Sequence, residues 1–463
     1  MKIRENKAHK LNIAYLGGGS RGWAWRLMAD LALEESLSGM VRLYDLDFAA
    51  AQENEAIGNS LLQRPETKGK WRYQAVTSLK EALSGADFVI ISILPGTFQE
   101  MASDVHTPEE YGIYQSVGDT VGPGGLMRAL RTIPIYVDFA EKIRAYSPKA
   151  WVINYTNPMS LCTRTLYEVF PGIKAFGCCH EVFHTQDLLA AMLADIAGIK
   201  GLTRNDIKIN VLGINHFTWI NQATYQGTDL FPMYRAFVDK YYTEGFQLAG
   251  EANWQDDVFR CANRVKFDLF KKYGLIAAAG DRHLAEFMPA KMYLKDPATV
   301  EQWRFQLTPV RFRIKQKEDN DRFRSRVIAG EEQFPLTPSG EEGVRQIKAL
   351  VGLDDLVTNI NLPNQGQMEG VPAGAVIETN ALLTGGQLRP VVSGAFPSDV
   401  QNLTIRHIYN QETILQAALK KDVNLAFRAF INDPLVQIDP QQAEALFMRM
   451  LENIKEYLPG WVN

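Results

Sequence analysis

The stretch LNIAYLGGGSRGWAW, residues 11–25, decides the fold. Its first part, Leu11 to Leu16, is an apolar run that predicts a buried strand. Glycines follow directly, and the segment from Trp23 to Leu33 then places apolar residues at helical spacing. A strand that turns through glycines into a helix is typical of the start of a parallel sheet. We therefore expect an α/β fold.

The glycine turn has the spacing G-x-G-x-x-G of dinucleotide-binding turns. Its members are Gly17, Gly19 and Gly22, with Ser20 and Arg21 between them. Glycines let the backbone approach a pyrophosphate closely, and free N–H groups at the start of the next helix bind its charge. The turn therefore predicts a nucleotide site.

An acidic residue indicates which nucleotide is bound. Asp45 ends the second apolar run, roughly 20 residues beyond the glycines, where a carboxylate bonds the ribose hydroxyls and selects NAD over NADP. Asp47 is the alternative for this role. A glycine turn alone would also suit a tight strand–helix connection without a ligand. The strand, glycines, helix and acid in register favour NAD.

Apolar runs continue to alternate with helical stretches as far as about residue 180. The predicted strands are 11–16, 40–44, 71–76, 88–94, 151–154 and 175–177, and the predicted helices are 23–33, 48–62, 78–83 and 127–146. Pro134 is expected to kink the last of these helices or to mark its start. The alternation predicts a doubly wound, mainly parallel sheet. We expect residues 1–200 to form a Rossmann-like, NAD-binding domain.

The pattern loosens beyond residue 200. Strands are predicted at 207–213 and near 375–378, and helices at 233–244, 256–272, 401–430 and 441–457. Residues 300–400 are rich in proline, glycine and polar residues. We predict that residues 201–463 form a mixed α+β domain for substrate binding and oligomerisation.

Composition restricts the class of ligand. The chain of 463 residues carries a net charge of -4, which provides no positive field for a nucleic acid. The N-terminus lacks the apolar run of a signal peptide, and no run reaches the ~20 residues of a membrane span. Two of the four cysteines are neighbours, which suits no disulfide framework. These features predict a cytoplasmic protein with a small-molecule substrate.

Polar segments rich in metal-ligating side chains lie near the ends of predicted elements. They are NYTNP at 154–158, CCHEV at 178–182, GINHF at 213–217 and GDRHLAEF at 280–287. Cys and His side chains can hold a divalent metal, and an open site leaves positions for substrate oxygens. None of the segments has the tight spacing of a C-x-x-C or H-E-x-x-H motif. Taken alone, His216 would also suit a strand-end histidine without a metal.

Five motifs in order resemble glycoside hydrolase family 4, the NAD-dependent glycosidases. They are the glycine turn, GGLMRALRTIP at 124–134, the Asn-x-x-Asn-Pro turn, the Cys-His-x-Val segment and the Gly-Ile-Asn-His segment. The resemblance spans nearly the whole chain. It implies NAD, a divalent metal that is usually Mn²⁺, and hydrolysis without a carboxylate pair. The implied steps are oxidation at carbon 3, elimination, addition of water and re-reduction.

The resemblance also implies roles for individual residues. Cys179 and His216 would bind the metal, Asn157 would contact substrate, and Asn154 would lie nearer the cofactor. The variant Cys-His-Glu-Val, which places His180 and Glu181 after the metal cysteine, resembles the α-galacturonidase clade. That clade acts on short uronides from pectin. Neutral α-galactosides, α-glucosides and α-glucuronides are the alternative substrates.

The implied reaction requires a base at carbon 2 and an acid at the leaving oxygen. We predict Tyr273 as the base, with Asp281 as the alternative; core packing at a helix end is the other explanation for Tyr273. His180 is predicted as the acid, with Glu181 as the alternative. Both residues of this pair are also expected to contact substrate.

A uronate substrate also requires a cation, most economically an arginine fork. The candidates are Arg128, Arg131, Arg260 and Arg282, with His283 as a helper. Any of these arginines would alternatively be a surface charge or a pyrophosphate partner.

Two other functions suit the nucleotide pattern: a 2-hydroxy acid dehydrogenase and a non-catalytic NAD sensor. Neither needs a thiolate–imidazole metal site. Because members of the resembled family form dimers and tetramers, we expect a homodimer or homotetramer.

Overall fold

The computed structural model describes residues 1–461. The strands in this range are β1 Lys2–Arg4, β2 Lys7–Leu16, β3 Leu37–Tyr44, β4 Lys70–Val76, β5 Phe88–Ile91, β6 Trp151–Asn154, β7 Lys174–Gly177, β8 Lys208–Ile214, β9 Phe217–Tyr225, β10 Thr228–Asp229, β11 Ile276–Ala277, β12 Leu356–Pro363, β13 Val376–Thr384 and β14 Gln387–Pro390.

The α-helices of the same range begin with those that surround the parallel sheet. They are α1 Trp23–Leu33, α2 Phe48–Ser60, α3 Leu79–Leu83, α4 Phe98–His106, α5 Gly122–Tyr146, α6 Met159–Val169, α7 Glu181–Ala197, α8 Phe231–Tyr241, α9 Arg264–Tyr273, α10 Asp281–Glu286, α11 Ala290–Tyr293, α12 Pro297–Gln302, α13 Val310–Ala329, α14 Gly343–Leu350, α15 Ser398–Lys420, α16 Val423–Ile431 and α17 Pro440–Asn453.

Six parallel strands form the centre of the large sheet, in the order β7-β6-β5-β2-β3-β4. Strand β2 pairs in parallel with β3 on one side and with β5 on the other, so the winding reverses at β2. This is the Rossmann order, in which ligands bind outside the carboxyl ends of the strands at the reversal. The predicted α/β fold with a doubly wound sheet is confirmed.

The second half of the chain extends this sheet. Strand β12 pairs antiparallel with β7 through Asn361 and Gly177, and β13 and β14 continue the sheet beyond it. A second sheet of β8, β9, β10 and β11 lies beside β13, where the Asn380 amide donates to the Ile209 carbonyl oxygen at 2.6 Å. The second half therefore mixes helices and strands as expected. The domain boundary at residue 200 stays a prediction.

Helix α5 differs from its prediction. It starts at Gly122 and continues through Pro134, so the expected start near residue 127 was wrong. An interior proline costs about 3 kcal/mol in a helix. The run from Leu126 to Ile133 is buried throughout, and its packing offsets that cost.

Two further differences concern segments with little apolar pattern. Helix α9 starts at Arg264 and not at residue 256, because Asn263 adopts φ +59° and the preceding residues form turns. Helix α13 occupies part of the stretch 300–400, for which no helix was predicted. Both segments lie beside the candidate site described next.

Candidate active site

The glycine turn lies at the carboxyl end of β2. Gly17 adopts φ +95°, and a Cβ built on it would approach the Ser92 carbonyl oxygen to 1.9 Å. Only glycine fits such a position. The Asp45 carboxylate accepts a hydrogen bond from the Gly19 N–H at 2.8 Å, so the predicted ribose-binding acid also holds the turn.

The start of α1 has backbone N–H groups that are free to bind an anion. No side chain caps its first N–H groups at Gly22, and the helix has 11 residues. Uncapped N–H groups at a helix start bind phosphate oxygens. Within the turn, Ser20 donates its N–H to the Gly17 carbonyl oxygen at 3.0 Å, and Arg21 pairs with Asp321 of α13. The turn, the open helix start and Asp45 fit a dinucleotide.

Asn154 lies at the end of β6 with its amide satisfied inside the protein. Its Oδ1 accepts from the Tyr136 hydroxyl at 2.5 Å and from the Thr156 N–H at 3.0 Å, and its Nδ2 donates to the Thr156 carbonyl oxygen. These bonds shape the turn after β6. The expected contact between Asn154 and the cofactor stays a prediction.

Three potential metal ligands converge near the turn between β8 and β9. One ligand atom from each of Asp119, His216 and His283 lies within 4.8 Å of the other two. His216 occupies the turn with φ +65°, and its Nδ1 lies 2.9 Å from the Thr120 hydroxyl. This hydrogen bond orients the ring and leaves Nε2 for a ligand. We call Asp119, His216 and His283 the Asp–His–His cluster.

The electrostatics of this cluster suit a cation. Burial raises the pKa of Asp119, but the imidazoles of His216 and His283, which are protonated at low pH, and the Arg128 guanidinium together hold it below its ordinary value. Burial lowers the pKa of His283 to about 3, with a further contribution from His216. The cluster therefore offers a carboxylate and two neutral imidazoles, which are the ionisation states that bind metals.

Cys179 lies next to this cluster but not within it. Its buried thiol contacts the side chain of Asn215, the residue before His216, and the backbone N–H of Glu181. Burial, followed by the Glu378 and Glu181 carboxylates, raises its pKa well above the ordinary value. A bound metal would displace the thiol proton. The Asp–His–His cluster offers donors that fit a divalent metal, and the role of Cys179 as a further ligand stays a prediction.

Unpartnered polar atoms also point to a ligand here. His283 Nδ1 and Asn157 Oδ1 are buried, and neither has a hydrogen-bond partner among residues 1–461. The Asn157 Nδ2 donates to Asp119 at 3.1 Å, so its free oxygen lies beside the cluster. Buried polar groups in folded proteins are normally paired. A metal or a sugar hydroxyl would complete this set.

Glu181 connects the cluster to a second group of histidines. Its Oε2 accepts from the Gly280 N–H at 2.7 Å, and its Oε1 lies 3.8 Å from His283 Nε2 and 3.7 Å from His180 Nε2. Burial raises the pKa of Glu181, but four imidazoles, with His283 first, lower it below its ordinary value. Glu181 is therefore an ionised carboxylate between His180 and the candidate metal site.

His180 also adjoins the nucleotide turn. Its ring centroid lies 5.9 Å from that of Trp23, the first residue of α1, and its Nδ1 lies 3.5 Å from Glu341. Glu341 in turn accepts from Arg26 of α1 at 2.8 Å. The predicted acid thus lies between the start of α1 and the candidate metal ligands.

The predicted arginines occupy different surroundings. Arg131 makes a buried, two-pronged ion pair with Asp104 at 2.9 and 2.6 Å, so its charge is already neutralised. Arg260 pairs with Glu251 at 2.5 Å. Arg282 donates to the Ser116 carbonyl oxygen, and Arg128 donates its Nε to the Asn157 carbonyl oxygen. Arg282 and Arg128 therefore border the site, while Arg131 and Arg260 bind protein carboxylates.

The two predicted bases, Tyr273 and Asp281, also have different surroundings. Tyr273 packs its ring against Trp219, with centroids 5.9 Å apart, at the end of α9. Asp281 is completely buried at the start of α10, next in sequence to Arg282 and close to His283. Its Oδ1 accepts from the Lys266 N–H at 3.0 Å, and its Oδ2 is one of the unpartnered buried atoms. Burial raises the pKa of Asp281 to about 6.

Sequence reasoning missed three residues of this site: Asp119, Glu341 and Arg313. Asp119 lies in the glycine-rich segment VGDTVGPGG, residues 117–125, which leads into α5 and whose glycines were a usable signal. Glu341 and Arg313 stand in segments without a recognisable motif. Folding alone brings them to the site.

In the described part of the chain, no helix combines the length and the apolar content that a membrane crossing requires.

Comparison with known proteins identifies the family. The model of the family 4 glycosyl hydrolases matches residues 12–195. The model of the family 4 glycosyl hydrolase C-terminal domain matches residues 211–436. An alpha-galacturonidase of Thermoanaerobacterium saccharolyticum is 62% identical over 461 residues, which cover 100% of this chain and 99% of that protein.

Solved structures show the same fold. LplD of Bacillus subtilis superposes with a TM-score of 0.92 at 56% identity, over 96% of this chain and 100% of that chain. A 6-phospho-alpha-glucosidase from gut microorganisms, in complex with NAD and Mn²⁺, has a TM-score of 0.79 at 19% identity, over 97% and 99% of the two chains. The two family matches together span most of the sequence, and the chain belongs to the family 4 glycosyl hydrolases.

Proposed function

We propose that this enzyme hydrolyses α-galacturonides. The observation that carries the proposal is the 62% identity, over the whole chain, to a protein named alpha-galacturonidase. The segment CCHEV at 178–182 supports it, because both His180 and Glu181 border the candidate site. Membership of a glycosidase family excludes the dehydrogenase and the NAD sensor considered above.

We further propose NAD and a divalent metal, Mn²⁺ in the first instance, as cofactors. The glycine turn, the open start of α1 and Asp45 would hold NAD. Cys179 and the Asp–His–His cluster would hold the metal. When bound, NAD would supply the acceptor and donor of a hydride at carbon 3, and the metal would supply a Lewis acid for the sugar oxygens.

The chain's own residues then bind the sugar and move protons. The unpartnered Asn157 Oδ1 would accept a sugar hydroxyl beside Asp119. His180 has a carboxylate within 4 Å of each ring nitrogen, Glu341 at Nδ1 and Glu181 at Nε2. From this position between two carboxylates, His180 would donate the proton to the leaving oxygen.

For the base at carbon 2, the geometry favours Asp281 over Tyr273. Asp281 shares the short helix α10 with His283, and a carboxyl group with a pKa of about 6 is an effective base near neutral pH. Tyr273 packs against Trp219, and burial raises its pKa further above neutrality. We therefore propose Asp281 as the base in place of Tyr273, the residue preferred from the sequence.

Hydrolysis of para-nitrophenyl glycosides tests the proposal. The purified protein would be given the α-galacturonide, α-galactoside, α-glucoside and α-glucuronide, each with and without NAD, Mn²⁺ and a thiol reductant. We expect cleavage of the galacturonide that needs both cofactors and accumulates no NADH. Preference for another glycoside under the same requirements would contradict the substrate assignment. Accumulation of NADH without cleavage would contradict the glycosidase reaction.

We also propose a cytoplasmic homodimer or homotetramer. The four free cysteines, three of them buried, suit a reducing compartment. Light scattering coupled to gel filtration would give the mass of the assembly, and fractionation of the source cells would locate the protein. A monomer, or recovery outside the cytoplasm, would contradict this part of the proposal.

A further inference from the structure

Three arginines near the Asp–His–His cluster have no carboxylate partner. No Asp or Glu oxygen among residues 1–461 lies within 4 Å of the guanidinium nitrogens of Arg128, Arg282 or Arg313. Arg128 and Arg282 are only 8% and 7% exposed, and Arg282 Nε is buried without a hydrogen-bond partner. A buried charge is costly unless it is paired. Two buried arginines and the partly buried Arg313, all without a carboxylate partner, therefore indicate an anionic ligand.

Phe259 brings two of these arginines together. The Cζ of Arg313 lies 4.4 Å from the centroid of the Phe259 ring, and the Cζ of Arg282 lies 5.3 Å from it. Cations at such distances interact favourably with the ring. Burial, with the charges of Arg282 and Arg128, lowers the pKa of Arg313 to about 10, while Asp119 opposes this shift. Arg313 is thus within electrostatic range of the cluster.

The first turn of α13 is anchored at the site. The Thr308 hydroxyl donates to the Ser116 carbonyl oxygen at 2.9 Å, and the Val310 N–H donates to His106 Nε2 at 3.1 Å. Arg313 therefore projects from a fixed backbone.

Arg313 also differs from the other cations of its helix. Those that pair with a carboxylate are Lys315, Lys317, Arg322, Arg324 and Arg326. Arg311 is exposed and needs no counter-ion. Arg313 alone combines partial burial with the lack of a carboxylate partner in the described part of α13.

The nucleotide is a poor source for the missing anion. Helix α13 contacts the glycine turn through Asn320, whose Nδ2 donates to the Arg21 carbonyl oxygen at 3.1 Å. Arg313 precedes Asn320 by roughly 10 Å of helix, at a rise of about 1.5 Å per residue. It lies at the end of α13 away from the glycine turn, within electrostatic range of Asp119.

We propose that Arg313, aligned with Arg282 by Phe259, binds the carboxylate on carbon 5 of the sugar and so selects uronides over neutral glycosides. This inference rests on the proposed galacturonidase activity and assigns one of its specificity determinants. The side of the site with the Asp–His–His cluster would hold the opposite edge of the sugar ring, at carbons 2 and 3. Arg128, on the Asn157 side, completes the positive surroundings.

The test compares R313Q with R311Q, a matched change at an exposed arginine of the same helix. For R313Q we expect kcat/KM on para-nitrophenyl α-galacturonide to fall about 30- to 100-fold, mainly through KM, as for the loss of a charge-assisted contact. Activity on the α-galactoside should be unchanged or higher. R313K should be intermediate, and R311Q should match the wild type. An equal loss on both substrates, or no loss on either, would overturn the proposal.

A binding measurement gives an answer that does not depend on turnover. Thermal unfolding of the wild type, R313Q and R311Q would be followed with NAD alone and with free D-galacturonate added. We expect R313Q to keep the rise in Tm caused by NAD and to lose the rise caused by galacturonate. Retention of both, or loss of both, contradicts a carboxylate-binding role. A wild type that neither cleaves galacturonides nor responds to galacturonate would instead contradict the proposed function itself.

Discussion

The imidazoles of His216 and His283 stack with their ring centroids 3.6 Å apart, although one belongs to a turn between strands and the other to helix α10. Two protonated rings would repel each other at this separation. Burial lowers the pKa of both histidines, so both rings are neutral near pH 7. The stack therefore presents lone pairs to the same space as Asp119, which is the arrangement that a metal site requires.

Removal of the proposed sulfur ligand should weaken metal binding. We expect C179S to raise the Kd for Mn²⁺ at least about 10- to 100-fold. Cys178→Ser is the matched control, because Cys178 is equally buried but accepts from Gln346 instead of facing Asn215. Titration with Mn²⁺ followed by electron paramagnetic resonance would measure both. If D119N loses the metal while C179S retains it, the Asp–His–His cluster is the whole site and the predicted role of Cys179 is wrong.

Asp45 and Asp47, the two acids near the glycine turn, should have different functions. Asp45 accepts from the Gly19 N–H and is the predicted ribose-binding acid, so D45A should raise the Kd for NAD about 10-fold. Asp47 caps α2 through the Ala50 N–H, so D47A should lose about 1 kcal/mol of stability and keep NAD affinity. Fluorescence titration and thermal unfolding would measure the two effects. Loss of NAD affinity in D47A alone would make Asp47 the ribose-binding acid.

The choice of base leads to a third prediction. D281N should lower kcat about 100- to 10,000-fold, and Y273F should stay within a few-fold of the wild type. Because Asp281 also caps the start of α9, its effect on folding must be separated from its effect on chemistry. Thermal unfolding and NAD affinity of D281N provide that control. In Y273F, a large fall in kcat with an increased isotope effect from deuterium at carbon 2 would restore Tyr273 as the base.

Glu286 should make stability depend on pH. Burial raises its pKa to about 8, although Oε1 accepts from the N–H groups of Val117 and Gly118. An unfolded glutamate ionises near pH 4.5, so this group stabilises the fold fully below that pH. The contribution is lost as the pH rises towards 8.

E286Q keeps the acceptor and removes the titration. The wild type should therefore lose a few degrees of Tm between pH 5 and pH 8 relative to E286Q. Parallel pH dependences of Tm for the two proteins would show that Glu286 does not titrate in this range.

Local sequence explains the first domain well. The strand β2, its glycine turn and α1 follow one another within the chain, and helix α1 has the predicted bounds. Buried strands such as β5 consist of apolar runs, so their pattern is visible without tertiary context. The Rossmann order then follows from right-handed connections between parallel strands.

The residues of the site were harder to predict from the sequence than the first strands and helices, for physical reasons. The resemblance implies Cys179 and His216 as metal ligands, which stays a prediction. It gave no indication of Asp119, which lies close to His216 and whose neighbour Thr120 bonds the His216 ring. Helix α13 carries charges on most faces, so no apolar stripe marked it. Its ion pairs, such as Lys315 with Asp319, stabilise it instead. Arg313 consequently lay outside any recognisable motif.

Helix α13 contacts both halves of the active centre: its first turn carries Arg313, and Asn320 and Asp321 bond the residue Arg21 of the glycine turn. If Arg313 binds the sugar carboxylate as proposed, this one helix would couple the two binding equilibria. Thermodynamic linkage requires that such coupling be reciprocal: the factor by which NAD tightens sugar binding equals the factor by which sugar tightens NAD binding. The cofactor is reduced and oxidised again within every turnover. Its dissociation would be least favourable while a partly reacted sugar is bound, because the bound sugar would tighten its binding.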